Sequence, residues 1–169
     1  MARKSINALL STAPFSYYRD YFSAFIVFAE SAERGCDTTP SNDETNTVFE
    51  ATYGYMGIDR LLVSQNTDKC LTYVEYAIES FSDGDIVLLS VNDERHGGSG
   101  GLISTFSNGP YAIHSVIHEV GHSFGNLADE YIDEELIPLY PSNRTLSINN
   151  NFRCMSSMVS LNASSFISR

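Results

Sequence analysis

His118-Glu119-Val120-Gly121-His122 sets two imidazoles four positions apart, with an acid beside the first. On a helix, positions i and i+4 share one face at about 5–6 Å between Cβ atoms. Two rings placed this way can converge on one Zn²⁺ at about 2.0–2.1 Å each. Glu119 falls on the adjacent flank of the same turn, where it can reach a water at the metal without becoming a ligand. Zinc lowers the pKa of such a water towards about 7, and Glu119 can take its proton and deliver it to a leaving amine. The spacing therefore points to metal-dependent peptide-bond hydrolysis, with His118 and His122 as metal ligands and Glu119 as the catalytic base. Chance matches to so short a pattern are common, and the bland alternative is two incidental histidines on an ordinary helix.

A catalytic zinc usually takes a third protein ligand. Gly125-Asn126 suits a helix stop and chain reversal, because Gly and then Asn best tolerate the left-handed backbone. Just beyond it, Asp129 is the expected third ligand, Glu130 is the competitor, and both can also be plain surface acids. Two imidazoles, one carboxylate and an open position favour Zn²⁺ over other divalent ions, though not uniquely. His114 precedes His122 by eight residues, about 12 Å along a helix axis, so one ion cannot take His114, His118 and His122 together. It is expected on the helix surface or in the cleft. His96 is a remote alternative ligand or a substrate contact.

Several elements must hold these residues. The motif helix is expected from about Tyr111 to Phe124, after Gly109-Pro110, with Ile113, Val116, Ile117, Val120 and Phe124 as its core-facing stripe. Ahead of it, Asp85 to Val91 reads as a buried strand. Gly97, Gly98, Gly100 and Gly101 imply a tight, irregular backbone, and Leu102 to Phe106 reads as a short strand. Further upstream, residues 3–10 and 15–21 read as short helices and Ser23 to Ala29 as a strand. Ser31 to Asn46 reads as a loop, Arg60 to Ser64 as a strand, and Asp68 to Ser80 as an amphipathic helix. Alternating strand and helix signals define an α/β layered domain. No clear period is visible from Asp133 onward.

The 169 residues carry a formal charge of −11, which argues against nucleic acid as a partner. No apolar run reaches the roughly 20 residues needed to span a bilayer. The Met1-Ala2-Arg3-Lys4 start is not followed by a convincing signal-peptide core. Cys36, Cys70 and Cys154 form no CxxC pair; one disulfide with one free thiol, or all thiols reduced, both fit. Sequons at Asn143 and Asn162 carry little weight.

His118-Glu119-Val120-Gly121-His122-Ser123-Phe124, followed by Leu127-Ala128-Asp129-Glu130-Tyr131, resembles the active-site signature of the IgA-metallopeptidase family. Leu10 to Phe15, Tyr18-Arg19-Asp20, Gly57 to Leu62 and Val91 to Gly101 are similar to further family landmarks, in order, from about residue 9 to 132. The resemblance implies a zincin-like metallopeptidase domain with a twisted, mostly parallel sheet, an antiparallel edge strand and an active-site helix. It makes Leu102 to Phe106 the edge strand, on which extended protein or peptide substrate would pair. It gives Tyr131 a part in assisting the tetrahedral intermediate, a place as an alternative ligand or, the favoured reading, a supporting role behind Asp129, and implies a secreted or cell-surface location. Asn126 stands where the family usually has Gly. Against that family the chain is expected to be truncated at both ends, with residues 1–140 a catalytic domain lacking part of its N-terminal edge and 141–169 a poorly structured remnant of a C-terminal subdomain. A catalytically inactive zinc-binding module and a metal-free α/β domain are the competing readings. Oligomeric state is not legible.

Overall fold

The computed structural model describes residues 2–39, 44–78, 82 and 84–129. Glu130, Tyr131, Cys154, both sequons and the 141–169 segment lie outside them.

The motif helix forms where its periodicity places it: α3 spans Ala112–Ser123. Ala112, Val116 and Val120, four apart, point inward and are buried. They meet Leu9 of α1 (Ala2–Leu9) and Phe106, with Ile117 and Phe124 packed around this cluster. Ile113 departs from the expected stripe and is 44% exposed. One step of about 100° along the helix takes it off the face that Ala112 occupies.

Among the described residues, six short strands form two mixed three-stranded sheets. β1 (Asp37–Thr38) runs parallel to β2 (Ala51–Tyr53), which runs antiparallel to β3 (Val63–Ser64). β4 (Leu88–Val91) runs parallel to β6 (Ser104–Ser107), and β5 (Gly98–Ser99) runs antiparallel to β6. The sheets join at a bridge between Leu61 and Gly98. There Gly98 N–H donates to the Arg60 carbonyl and Leu62 N–H to the Gly98 carbonyl, each at 3.2 Å. A second apolar cluster of Ala51, Tyr53, Leu62 and Val91 lies at this junction. α2 (Thr67–Glu75) is capped by Asn66, whose side chain accepts from Lys69 N–H, and a 3-10 helix covers Phe15–Tyr21.

The α/β reading holds, but three details are corrected. The described strands make two small mixed sheets rather than one mostly parallel sheet. The strand expected at Leu102 to Phe106 is not an edge: as β6 it lies between β4 and β5, and all of it is buried. The antiparallel strand beside it comes instead from the glycine-rich segment, where absent side chains allow the close approach described below. Ser23 to Ala29 is no strand: it makes no ladder, and Phe25 and Phe28 are 61% and 85% exposed. Its side chains suit a strand, but strand preference records fit to a paired, half-buried surface, and among the described residues no strand pairs with it. This segment lines a cavity of about 990 Å³ together with β4 and Leu9, and the lining includes neither His118, Glu119 nor His122.

Among the described residues no helix is long and apolar enough to cross a membrane. Cys36 and Cys70 are both free thiols. Burial, with the Asp93 and Asp37 carboxylates adding to it, pushes Cys36 up to about 12, so it is held as the unreactive thiol.

Candidate metal centre

α3 delivers His118 and His122 one turn apart, their rings nearly perpendicular with centroids 4.6 Å apart. Their Nε2 atoms stand 3.0 Å from each other. The helix then stops and reverses. Val120 carbonyl accepts from Phe124 and Gly125 N–H, and Gly121 carbonyl accepts from Leu127 N–H at 3.1 Å, so the last turn leaves these carbonyls satisfied. Asn126 adopts φ 50°, the left-handed backbone expected of it. A Cβ on Gly125 would collide with the Gly121 carbonyl oxygen, which is why this turn needs a glycine one place before the asparagine.

The reversal brings Asp129 back over the helix. Its Oδ1 lies 3.2 Å from His118 Nε2 and 3.4 Å from His122 Nε2. That oxygen is buried and accepts no hydrogen bond among the described residues. A buried carboxylate oxygen without a donor costs free energy unless a cation faces it. The three donor atoms form a triangle with edges of 3.0, 3.2 and 3.4 Å. Donors bonded tetrahedrally at about 2.0–2.1 Å stand about 3.3–3.4 Å apart, so these residues fit a zinc-sized ion. Glu119 is set further back: it forms a looser group with the two histidines, all donor atoms within 4.8 Å.

The supporting contacts explain the geometry. His122 Nδ1 meets the Leu127 carbonyl oxygen at 2.7 Å. Donation there fixes the tautomer whose Nε2 lone pair faces the other two donors. Burial, then the neighbouring His122, lowers the pKa of His118 and keeps its imidazole neutral, as a ligand must be. Glu119 is 7% exposed. Burial first, and then Asp129, pushes its carboxyl up to about 8.

The glycine-rich segment lies against this face. A Cβ on Gly98 would strike the Glu119 carboxylate, and one on Gly100 would strike His122 Cβ. Ser123 Oγ accepts from Gly101 N–H at 3.0 Å and pairs with Ser104 Oγ at 2.7 Å, tying the last turn of α3 to the segment and to β6. Sequence reasoning reaches neither the Leu127 carbonyl nor Ser123. The need of a metal-binding imidazole for a partner on its second nitrogen is the signal that points to the former. His114 is exposed on α3, one turn before His118. His96 is exposed in the glycine-rich segment and is not one of the described residues that group as a candidate metal cluster.

A histidine-glutamate-histidine cluster on one helix, with a carboxylate returned to it, is the kind of site that metallopeptidases use. The family model for IgA Peptidase M64 matches residues 1–167, and the chain belongs to that family. The match thus includes the stretch beyond Asp133 where no period is legible. No curated protein matches the chain. Family membership and the candidate metal cluster together suggest a metallopeptidase with a protein substrate.

Proposed function

We propose that this chain is a zinc-dependent endopeptidase of zincin-like design, with His118, His122 and Asp129 holding the ion and Glu119 moving the protons. The observation that carries this reading is the buried Asp129 Oδ1, without a hydrogen-bond donor among the described residues, facing both imidazole Nε2 atoms. A zinc ion bound there acidifies water and polarises the peptide carbonyl. Glu119 stands behind the donor triangle, where its carboxylate accepts a proton from the attacking water and returns it to the departing nitrogen. Without a cation, burial raises Glu119 to about 8; a cation at the donor triangle would favour the carboxylate form that accepts the proton. Asp129 and the Leu127 carbonyl hold the imidazoles in place; Gly98 gives Glu119 the space to lie flat against β5. In this reading Glu130 is not a ligand, Tyr131 supports Asp129, and the protein works outside the cell or on its surface, as its family resemblance implies.

The test is metal content and cleavage measured together. The purified protein should hold one equivalent of zinc and cleave a mixed peptide library. Glu119→Gln should keep the zinc and lose cleavage by at least about 10³-fold, within the range of ordinary general acid–base catalysis. Zinc retained with no cleavage by the unaltered protein would favour the inactive binding module instead. Zinc content far below one equivalent would remove the metal reading altogether.

A further inference from the structure

Ser123 ends α3 one residue after His122 and supplies none of the three donors, yet its hydroxyl uses its full hydrogen-bonding capacity. It donates to the Glu119 carbonyl at 3.0 Å, accepts from Gly101 N–H at 3.0 Å and accepts from the Ser104 hydroxyl at 2.7 Å. One proton and two lone pairs are all that a hydroxyl has. The bond to Glu119 stays within the helix, as serines often bond the carbonyl four residues back. The other two bonds leave the helix. One reaches Ser104, fully buried in β6. The other reaches the connection between β5 and β6.

That connection is held differently at its two ends. β5 pairs with β6 only at Gly98 with Phe106 and Ser99 with Thr105, so residues 100–103 form the tip of a hairpin. Gly98 and Ser99 are fixed on the sheet side: Gly98 N–H donates to the Arg60 carbonyl, Leu62 N–H to the Gly98 carbonyl and the Ser99 hydroxyl to the Leu62 carbonyl. Further along, Gly101 takes φ 139° with open space where a Cβ would stand, and Leu102 after it is exposed. The bond from Gly101 N–H to Ser123 pins this tip to α3.

The pinned tip borders the metal-binding turn. At about 100° per residue, His118 and His122 stand about 40° apart around α3, with Glu119 next and Ser123 beyond it. Gly98 against the Glu119 carboxylate and Gly100 against His122 Cβ place the hairpin on this side of the helix. Resting on the peptidase reading, we infer that Ser123 is a positioning residue for the hydrolysis. Its hydroxyl sets the Gly100–Gly101 backbone against the metal-binding turn, so that a peptide lying on that bank is held in reach of Glu119. Ser123 itself touches neither metal nor peptide. A Ser123 with a purely structural part would lower stability and leave kcat and KM of the folded protein alone.

The experiment separates the Gly101 bond from the Ser104 bond. Ser123→Ala alone strands the buried Ser104 hydroxyl, whereas removing both partners of a hydrogen bond can be nearly neutral. The comparison is therefore between Ser104→Ala, which leaves Gly101 its acceptor, and the double variant Ser104→Ala with Ser123→Ala, which does not. Relative to Ser104→Ala, the double variant should exchange the Gly101 amide hydrogen at least about tenfold faster, because its local opening is easier. It should keep its zinc and lose about 10–100-fold in kcat, the scale of a misplacement of up to about 1 Å, with KM within about threefold. Ser104→Ala alone should stay within about threefold of the unaltered protein in kcat. Unchanged kcat or unchanged Gly101 exchange in the double variant, or an equal loss of kcat in Ser104→Ala, would overturn the inference and leave the peptidase reading intact. If the unaltered protein binds no zinc and cuts no peptide, the peptidase reading fails first and takes this assignment with it.

Discussion

Gly98 and Glu119 touch: a Cβ at position 98 would stand 2.9 Å from Glu119 Cδ and 3.0 Å from its Cγ, with the carboxylate oxygen closer still. The atoms in the way belong to the end of a side chain, which can swing aside. Gly98→Ala should therefore cost little stability, about 1 kcal/mol, but move the carboxylate from its station. A misplacement of about 1 Å can cost about 10²-fold in rate. The expected outcome is a large fall in kcat with zinc content and melting temperature nearly unchanged. Gly100→Ala should behave differently, since it meets His122 Cβ and the Glu119 carbonyl oxygen at 3.2 Å. There backbone must yield, and loss of about 1–3 kcal/mol in denaturant unfolding is expected.

Asp129→Asn tests the third donor. The amide keeps the size of the side chain but removes the negative charge. Losing a group behind a ligand costs about 10–100-fold in metal affinity, so losing a direct donor should exceed about 100-fold. Competition with a calibrated chelator measures this. A change below about threefold would remove Asp129 from the coordination shell.

The metal-free protein should lose stability as pH rises through neutrality. Glu119 sits near 4.5 in an unfolded chain and is pushed up to about 8 by burial in the fold. Between those values the native state binds the extra proton, so stability falls with rising pH and levels off above about 8. His118 runs the other way: its pKa is lowered from 6.5, so its contribution is lost as pH falls below that value. The clean window is therefore pH 6.5 to 8, where the downward slope belongs to Glu119. A tenfold difference in proton affinity between folded and unfolded chain is worth about 1.4 kcal/mol, and the whole effect amounts to a few kcal/mol. Melting curves with chelator across that window measure it, and saturating zinc should flatten the slope by stabilising the carboxylate. A rising slope with chelator would contradict the buried, proton-binding Glu119.

The parts of this molecule that sequence reveals are those whose causes are local. The helix expected from Tyr111 to Phe124 spans Ala112–Ser123, because its apolar period, its Pro110 entry and its Gly125-Asn126 exit all lie within a few residues. Asp129 is expected over the histidines on the same grounds, and the left-handed Asn126 places it there. β1 and β2 escape a reading of the sequence, because β1 is two residues long, sits in a polar segment and exists only through pairing with Ala51–Tyr53. Ser23 to Ala29 shows the converse, a strand-like composition without a partner strand among the described residues. The glycine cluster is legible as a tight backbone, but not that its tightness is set by Glu119 and His122 on another element. Contacts between remote stretches are invisible to period and propensity alike.

All three donors of the triangle come from one stretch, residues 118–129. An ion held there would cinch a single hairpin of chain and rivet no distant parts together. Apart from the two glycines that press on the helix, segments outside 118–129 supply none of the three donors, so changes there would leave the donor set itself intact. On the proposed reading, grip on an ion and choice of substrate would then be separable traits, free to change one at a time.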